Sequence, residues 1–406
     1  MNNHPYERVS GGVTAPAGFR ASGIHCGVKK SRKDLAIIAS DVPAVTAAVF
    51  TQNKVPAAPV IVDKLQVKAS SVAQAIVVNS GNANACTGER GLNDAWTMVA
   101  ETANALSIDA SLVLVSSTGV IGQYLPMEPI QTGIRIAANA LHHAGGRDAA
   151  EAIMTTDTFV KELAVKTHIG GTQVVLGGMA KGSGMIAPNM ATMLGFVTTD
   201  AAVEPALLKQ MLTLASDRSF NRISVDGDTS TNDMVVLMAN GAAGSPTLTH
   251  AVHEDAQRFY NALEWLLTEL AKMIVLDGEG ATKLVAIQVN GAEAEEEAVK
   301  AGRAVANSSL VKTALHGEDA NWGRILAAIG YSGIDFDPEA VEIFFDEVPI
   351  LQKKYSIDFS EVEAKRVLSK KELTITIELH KGKASACFWT CDLSKEYVDI
   401  NAHYRT

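Results

Sequence analysis

Gly177-Gly178-Met179-Ala180-Lys181-Gly182-Ser183-Gly184-Met185-Ile186-Ala187-Pro188-Asn189-Met190-Ala191-Thr192-Met193-Leu194-Gly195-Phe196 is the stretch on which the reading of this chain turns. It follows Gln173 to Leu176, an apolar run that reads as a strand. A glycine-rich turn after a strand invites a phosphate loop, but that loop needs Gly-Lys-Ser/Thr and the order here is Lys181-Gly182-Ser183. Nor is Ser183 the serine of a nucleophile elbow, because Lys181-Gly182-Ser183-Gly184-Met185 does not meet Gly-x-Ser-x-Gly. Gly182 and Gly184 read as turn glycines. Thr192 by itself reads as a β-branched residue opening a strand, Thr192 to Thr198.

Outward from this stretch, strand and helix signals alternate. Leu35 to Ala39, Ala47 to Phe50 and Ala75 to Val78 are short apolar runs bounded by polar or turn residues, the pattern of buried strands. Leu92 to Leu106 sets Trp96, Val99, Ala103 and Leu106 on one helical face. A second face runs through Val252, Ala256, Phe259, Leu263, Leu266, Leu267, Leu270 and Ile274. Near the end, Leu373, Ile375, Ile377 and Leu379 alternate with polar residues, as in a strand with one buried face. The class is therefore α/β or α+β.

At 406 residues and 47% hydrophobic content, the chain exceeds one compact domain of typical size, so two domains or two interlocked halves are expected. No linker or repeat marks the boundary, and the longest acidic run, Glu295 to Glu297, reads as surface. The net charge of −10 argues against a nucleic-acid partner, which would draw on dense Lys and Arg clusters. Four cysteines are too few for a disulfide scaffold, and Cys387 and Cys391 fall in a strand-like segment, where buried thiols outrank a zinc site. No apolar leader or membrane span is evident, which places the protein in the cytoplasm. Asp226 to Asp233 begins like a calcium loop, yet the sixth and twelfth positions hold Thr231 and Leu237 in place of Gly and Glu, so it reads as a polar turn near the site. His316-Gly317-Glu318-Asp319 likewise completes no metal pattern, and no metal is expected.

Lys181-Gly182-Ser183-Gly184-Met185-Ile186-Ala187-Pro188, followed by Met190-Ala191-Thr192-Met193-Leu194, closely resembles the cleavage and nucleophile segment of the bacterial ornithine acetyltransferases, or bifunctional glutamate N-acetyltransferases. The resemblance extends through Gly11 to Pro16, Asn79 to Asn84, Ser117 to Gly122, Asp277 to Lys283 and the ending Asn401 to Thr406. It implies a chain that cuts itself between Ala191 and Thr192, giving an alpha chain of residues 1–191 and a beta chain of 192–406. It also implies sheets flanked by helices and built from both chains, in an α2β2 heterotetramer.

The implied chemistry is coherent. A threonine hydroxyl needs a base, and an N-terminal threonine carries one in its α-amine, whose ordinary pKa is about 7.7 to 8. The tetrahedral oxyanion needs fixed donors about 3 Å away; the resemblance assigns them to the Thr118 hydroxyl and the Gly119 N–H. By themselves Ser117-Thr118-Gly119 read as a turn after the strand Leu112 to Val115. The implied reaction moves acetyl from N-acetylornithine to glutamate through acetyl-Thr192, in arginine biosynthesis, without a cofactor; acetyl-CoA as a second donor stays open.

Lys181 suits a substrate carboxylate and Glu279 an amino group. Without the motifs these two read as a solvated surface pair. The resemblance adds Thr155, Asn401 and Thr406 to the substrate contacts, Thr155 being preferred over the adjacent Thr156. Two rival functions stay open: an N-terminal-threonine aminopeptidase or amidase, and an uncleaved amino-acid-binding protein.

Overall fold

The structure, a computed structural model, describes residues 6–186 and 193–403. The chain divides into two units that follow a different division from the expected cleavage products. In the first unit the described residues are 6–182, 193–221 and 228–274. Its strands are β1 (Arg8–Val9), β2 (Phe19–Ile24), β3 (Leu35–Phe50), β4 (Val72–Asn82), β5 (Val113–Val120), β6 (Lys161–Ile169), β7 (Thr172–Lys181) and β8 (Leu194–Thr199). After the short β9 (Ile223–Ser224), which belongs to the second unit, β10 (Met234–Ala239) completes them. They form one sheet in the order β1-β6-β7-β8-β10-β3-β4-β5, with β2 also paired to β3. Strands from both sides of the Ala191–Thr192 bond thus share this sheet, with Lys181 of β7 opposite Leu194 of β8.

The apolar runs lack polar alternation because both faces of the sheet are covered. Along β3, Leu35, Ile37 and Ala39 join one cluster, while Ala36 and Ile38 join another. The first cluster includes Ala58 and Val62 of α1 (Ala58–Ala69), Met98 and Val99 of α2 (Gly88–Leu106), and Ile130 and Ile134 of α3 (Met127–Asn139). The second is covered by Ala149, Ala150 and Ala152 of α4 (Gly146–Ala152). Farther along, α5 (Pro205–Arg218) buries Leu208 and Leu212, and α6 (Glu254–Leu276) lies against β7, where a Cβ on Gly178 would stand 2.9 Å from Leu270 Cδ1.

Two helical faces need correction. In α2 the buried residues are Gly91, Ala95, Met98, Val99, Thr102 and Ala103, and Trp96 is exposed. The inward stripe is set by small residues and Met98, which let the helix approach the strands, and the bulky indole is displaced to the rim. In α6 every expected residue from Ala256 to Ile274 is buried, but Val252 precedes the helix and is 92% exposed.

The second unit's described residues are 183–186, 222–227 and 275–403. With β9 it contains β11 (Leu284–Ala292), β12 (Glu342–Phe345), β13 (Val348–Leu351), β14 (Glu372–Glu378) and β15 (Ala384–Cys391), in the order β13-β12-β14-β11-β15-β9. Here one face is apolar: Leu373, Ile375 and Ile377 of β14 are buried, as are Val285, Ile287 and Val289 of β11. This is the alternation expected from the sequence. The same core holds Ala298, Ala301 and Val305 of α7 (Glu295–Asn307), Val311 and Leu315 of α8 (Ser309–His316), Ile325 of α9 (Trp322–Gly330), and Val367 of α10 (Glu361–Leu368). The last helix is α11 (Lys395–Ala402). Glu295 to Glu297 form the first turn of α7, where carboxylates complement the helix dipole. Cys391 is buried and Cys387 half-buried in β15. Among the described residues no helix is long and apolar enough to cross a membrane.

Leu270→Ala is expected to destabilise the first unit by about 2–5 kcal/mol, since it opens a cavity between α6 and the sheet. A urea titration followed by tryptophan fluorescence, with Trp265 on the same helix as a local reporter, measures the shift.

Candidate active site

The polar end of the first unit begins where β4 and β5 stop being apolar. These strands run parallel, pairing Asn79 with Ser117, Ser80 with Thr118 and Gly81 with Gly119. Their burial demands hydrogen bonds. The Ser117 hydroxyl donates to Asn79 Oδ1 at 2.5 Å, and Asn232 Nδ2 donates to the carbonyls of Ser117 (2.8 Å) and Ala83 (2.6 Å). Thr118 and Gly119 therefore lie within a hydrogen-bonded strand, and the turn that spacing alone suggested is displaced by the pairing with β4. Gly119 has φ +132°, and a Cβ there would come within 2.3 Å of the Gly81 carbonyl carbon, so only glycine fits.

Lys181 ends β7 and is 8% exposed. Its ammonium donates to Thr155 Oγ1 at 2.8 Å, lies 3.5 Å from Thr118 Oγ1, and stands 4.0 Å from Asp157 Oδ2. Asp157 in turn accepts from Lys161 Nζ (2.7 Å) and from the backbone N–H groups of Gly182 (2.8 Å) and Thr155 (2.9 Å). Burial alone would raise the Asp157 carboxyl, but Lys181 and Lys161 outweigh it and hold it well below the usual carboxylate range. Of the two adjacent threonines, Thr155 is the one that meets Lys181.

Asp233, just before β10, is also buried, and its Oδ2 has no hydrogen-bond partner among the described residues. Burial pushes this carboxyl well above its ordinary range, against the pull of Ser230 and Lys181.

In the second unit Glu279 is 7% exposed, its backbone N–H donates to the Ser183 carbonyl at 3.0 Å, and Asn401 Nδ2 donates to its Oε2 at 2.8 Å. Gly184 packs on this carboxylate: a Cβ there would stand 2.4 Å from Glu279 Oε2. The Ser183 hydroxyl donates to the Asp277 carbonyl at 2.6 Å. Asp226 accepts from the backbone N–H groups of Met185 (2.6 Å) and Ile186 (2.8 Å).

Thr118, Thr155 and Lys181 are thus gathered in one unit, and Glu279 with Asn401 in the other. Ala191, Thr192 and Thr406 lie outside the described residues. The solvated-pair reading of Lys181 and Glu279 fails, because both are buried with polar partners. Asp157, Lys161, Asn232 and Asp233 were not singled out from the sequence. The signal for Asp157 was its place two residues after Thr155, which lets its carboxylate accept the Thr155 N–H. Asn232 and Asp233 sat in the polar stretch read as a turn, whose reach to Ser117 depends on strand order. His316 Nδ1 faces Asp392 Oδ2 at 2.7 Å.

The two helix-flanked sheets and these buried polar sets define an α/β enzyme. A model described as the ArgJ family matches residues 20–406. The arginine biosynthesis bifunctional protein ArgJ of Symbiobacterium thermophilum is 54% identical over 404 residues, covering 98% of this chain and 100% of that one. Its counterpart from Caldanaerobacter subterraneus subsp. tengcongensis is 51% identical over 404 residues, again covering 98% and 100%. A solved ornithine acetyltransferase of Mycobacterium tuberculosis, complexed with ornithine, is 42% identical with a TM-score of 0.43, over 46% of this chain and 99% of that one. The chain belongs to the ArgJ family and is an enzyme of arginine biosynthesis.

Asp157→Asn should destabilise the fold by about 3–5 kcal/mol, because it strips the fully buried Lys161 ammonium of its carboxylate. A depressed native pKa against an unfolded value near 3.9 means that Asp157 stabilises the wild type above about pH 4 and less as pH falls further. The gap between the urea midpoints of wild type and variant should therefore hold from pH 7 to about pH 4 and begin to narrow between pH 4 and about pH 3.

Proposed function

We propose that the chain cleaves itself at Ala191–Thr192 and then carries acetyl groups on Thr192 from N-acetylornithine to glutamate. The observation that supports this best is the Lys181 ammonium, buried at 2.8 Å from the Thr155 hydroxyl and 3.5 Å from the Thr118 hydroxyl. A cation so placed suits an α-carboxylate next to donors that suit an oxyanion.

In maturation the Thr192 hydroxyl attacks the Ala191 carbonyl carbon, the C–N bond breaks as the ester C–O bond forms, and the proton passes to the departing nitrogen. Water then cleaves the ester, leaving the Ala191 carboxylate and a free Thr192 amine and hydroxyl. In transfer the amine takes the hydroxyl proton while the oxygen attacks the acetyl carbon, and ornithine leaves with a protonated α-nitrogen. The Thr118 hydroxyl and Gly119 N–H hold the oxyanion in both steps. The α-amine of glutamate next attacks the acetyl ester and frees Thr192. Lys181 and Thr155 receive the carboxylate end of each substrate, and Glu279, Asn401 and Thr406 are assigned to substrate contact by the family resemblance alone. We extend the reading to chains 1–191 and 192–406 in an α2β2 assembly, to cytoplasmic residence, and to acetyl-CoA as a second donor in keeping with the relatives' description as bifunctional.

Thr192→Ala should give one uncut band on a denaturing gel and no transferase activity. With wild-type protein, N-acetylornithine alone should add one acetyl group to the 192–406 chain in rapid-quench mass spectra, and glutamate should remove it. Intersecting initial-rate plots without an acetylated chain would replace this route by direct transfer in a ternary complex, and an intact wild-type chain would leave an amino-acid-binding protein.

A further inference from the structure

The chain is acidic, yet Lys29, Lys30, Arg32 and Lys33 crowd into the loop between β2 and β3. A run of like charges in a short loop costs stability through repulsion, so what holds it together is informative. Asp34 does so from beneath. Its buried carboxylate accepts the backbone N–H groups of Cys26 (2.6 Å), Gly27 (3.1 Å) and Lys29 (2.8 Å) and faces His25 Nδ1 at 3.2 Å. The loop is pinned at its base, and its side chains are displayed in a fixed order.

Those side chains differ in what they meet. Lys33 is neutralised by Asp148 (2.5 Å) and Glu151 (2.8 Å). Lys29 is half-buried and donates only to carbonyls, those of Lys33 (2.8 Å) and Met154 (2.6 Å). Burial draws its ammonium down to about 8, with Asp34 and Asp157 opposing and Lys181 assisting, so it is still mostly charged at neutral pH. Lys30 and Arg32 are exposed and have no carboxylate partner among the described residues.

The loop borders the transferase cluster on two sides. A Cβ on Gly81, the strand partner of Gly119, would stand 3.0 Å from Lys29 Cγ. Met154, whose carbonyl takes the Lys29 ammonium, immediately precedes Thr155. Lys30 and Arg32 thus stand without a carboxylate among the described residues at the outer side of a loop whose inner lysine, Lys29, borders the Gly81 strand, and their two charges exceed what the single α-carboxylate of an acetylated amino acid requires.

We propose that the 29–33 loop docks the phosphorylated end of a coenzyme A thioester, the second acetyl donor. This rests on the acetyl-transfer reading of the neighbouring residues. A thioester of this class carries a diphosphate and a ribose phosphate at one end and its acetyl group at the other, joined by a flexible arm. Arg32 offers the planar fork that phosphate accepts bidentately, and Lys30 a point charge. The arm would then lead past Lys29 and Gly81 toward Thr118 and Gly119.

The test uses mature protein carrying Lys30→Ser with Arg32→Ser, beside the charge-preserving pair Lys30→Arg with Arg32→Lys. Coenzyme A, pantetheine and ATP are titrated calorimetrically at low and moderate salt, and initial rates are taken with acetyl-CoA and with N-acetylornithine as donors. The serine pair should weaken coenzyme A binding and raise the acetyl-CoA KM by about tenfold, equivalent to about 1.4 kcal/mol, with added salt doing the same to wild type. The N-acetylornithine KM and pantetheine binding should not move, and the charge-preserving pair should behave as wild type. Equal loss with both donors, or unchanged coenzyme A affinity in the serine pair, overturns the proposal. So does ATP binding as tightly as coenzyme A while acetyl-CoA use is unaffected, which assigns the loop to a free nucleotide. A wild-type protein that uses N-acetylornithine but does not bind coenzyme A refutes this inference alone, whereas one that uses neither donor refutes the transfer reading as well.

Discussion

One buried carboxylate holds together the polar end of the first unit. Asp157 faces the ammonium groups of Lys161 and Lys181 and also accepts the backbone N–H of Gly182 and Thr155. Removing charges from water is costly, and only good geometry with several hydrogen bonds offsets it. The arrangement fixes the last residue of β7, the loop bearing Thr155 and the Gly182 backbone that follows β7 through a single side chain. A lysine poised beside two hydroxyls needs such an anchor, because a free ammonium on a four-carbon stem would sample many rotamers.

The surrounding sheet supplies the rest of the constraint. Parallel β4 and β5 carry apolar residues into a doubly covered core and then change to Asn, Ser and Thr at their carboxyl ends. That change converts a packing surface into a set of fixed dipoles, and Gly119 lets its backbone approach Gly81 more closely than any side chain permits. Fixed dipoles of this kind need little reorganisation, because β5 is held by its register with β4. The acidic Asp34 repeats the device at smaller scale, tying a basic loop to the same end of the sheet.

The second unit contributes a carboxylate handled in the opposite way. Glu279 faces an amide, Asn401, and lies under Gly184, with no lysine or arginine recorded against it among the described residues. An acceptor of this kind keeps open lone pairs, whereas the Asp157 charge already faces two lysines.

Local pattern was enough to determine the class of the chain. The strands around Leu35, Ala75 and Leu373 and the helix through Phe259 and Leu266 follow from periodicity, and the motif from Lys181 to Leu194 marked the family. Periodicity failed for Trp96 and Val252, where a helix's rotation and its first residue depend on what packs against it. Tertiary structure alone decided that Thr118 and Gly119 lie in a strand, that Lys181 and Glu279 are buried, and that Asp157 stands beside Lys181. Those facts depend on strand order and on the desolvation of charges by residues distant in the sequence, and no local spacing encodes either.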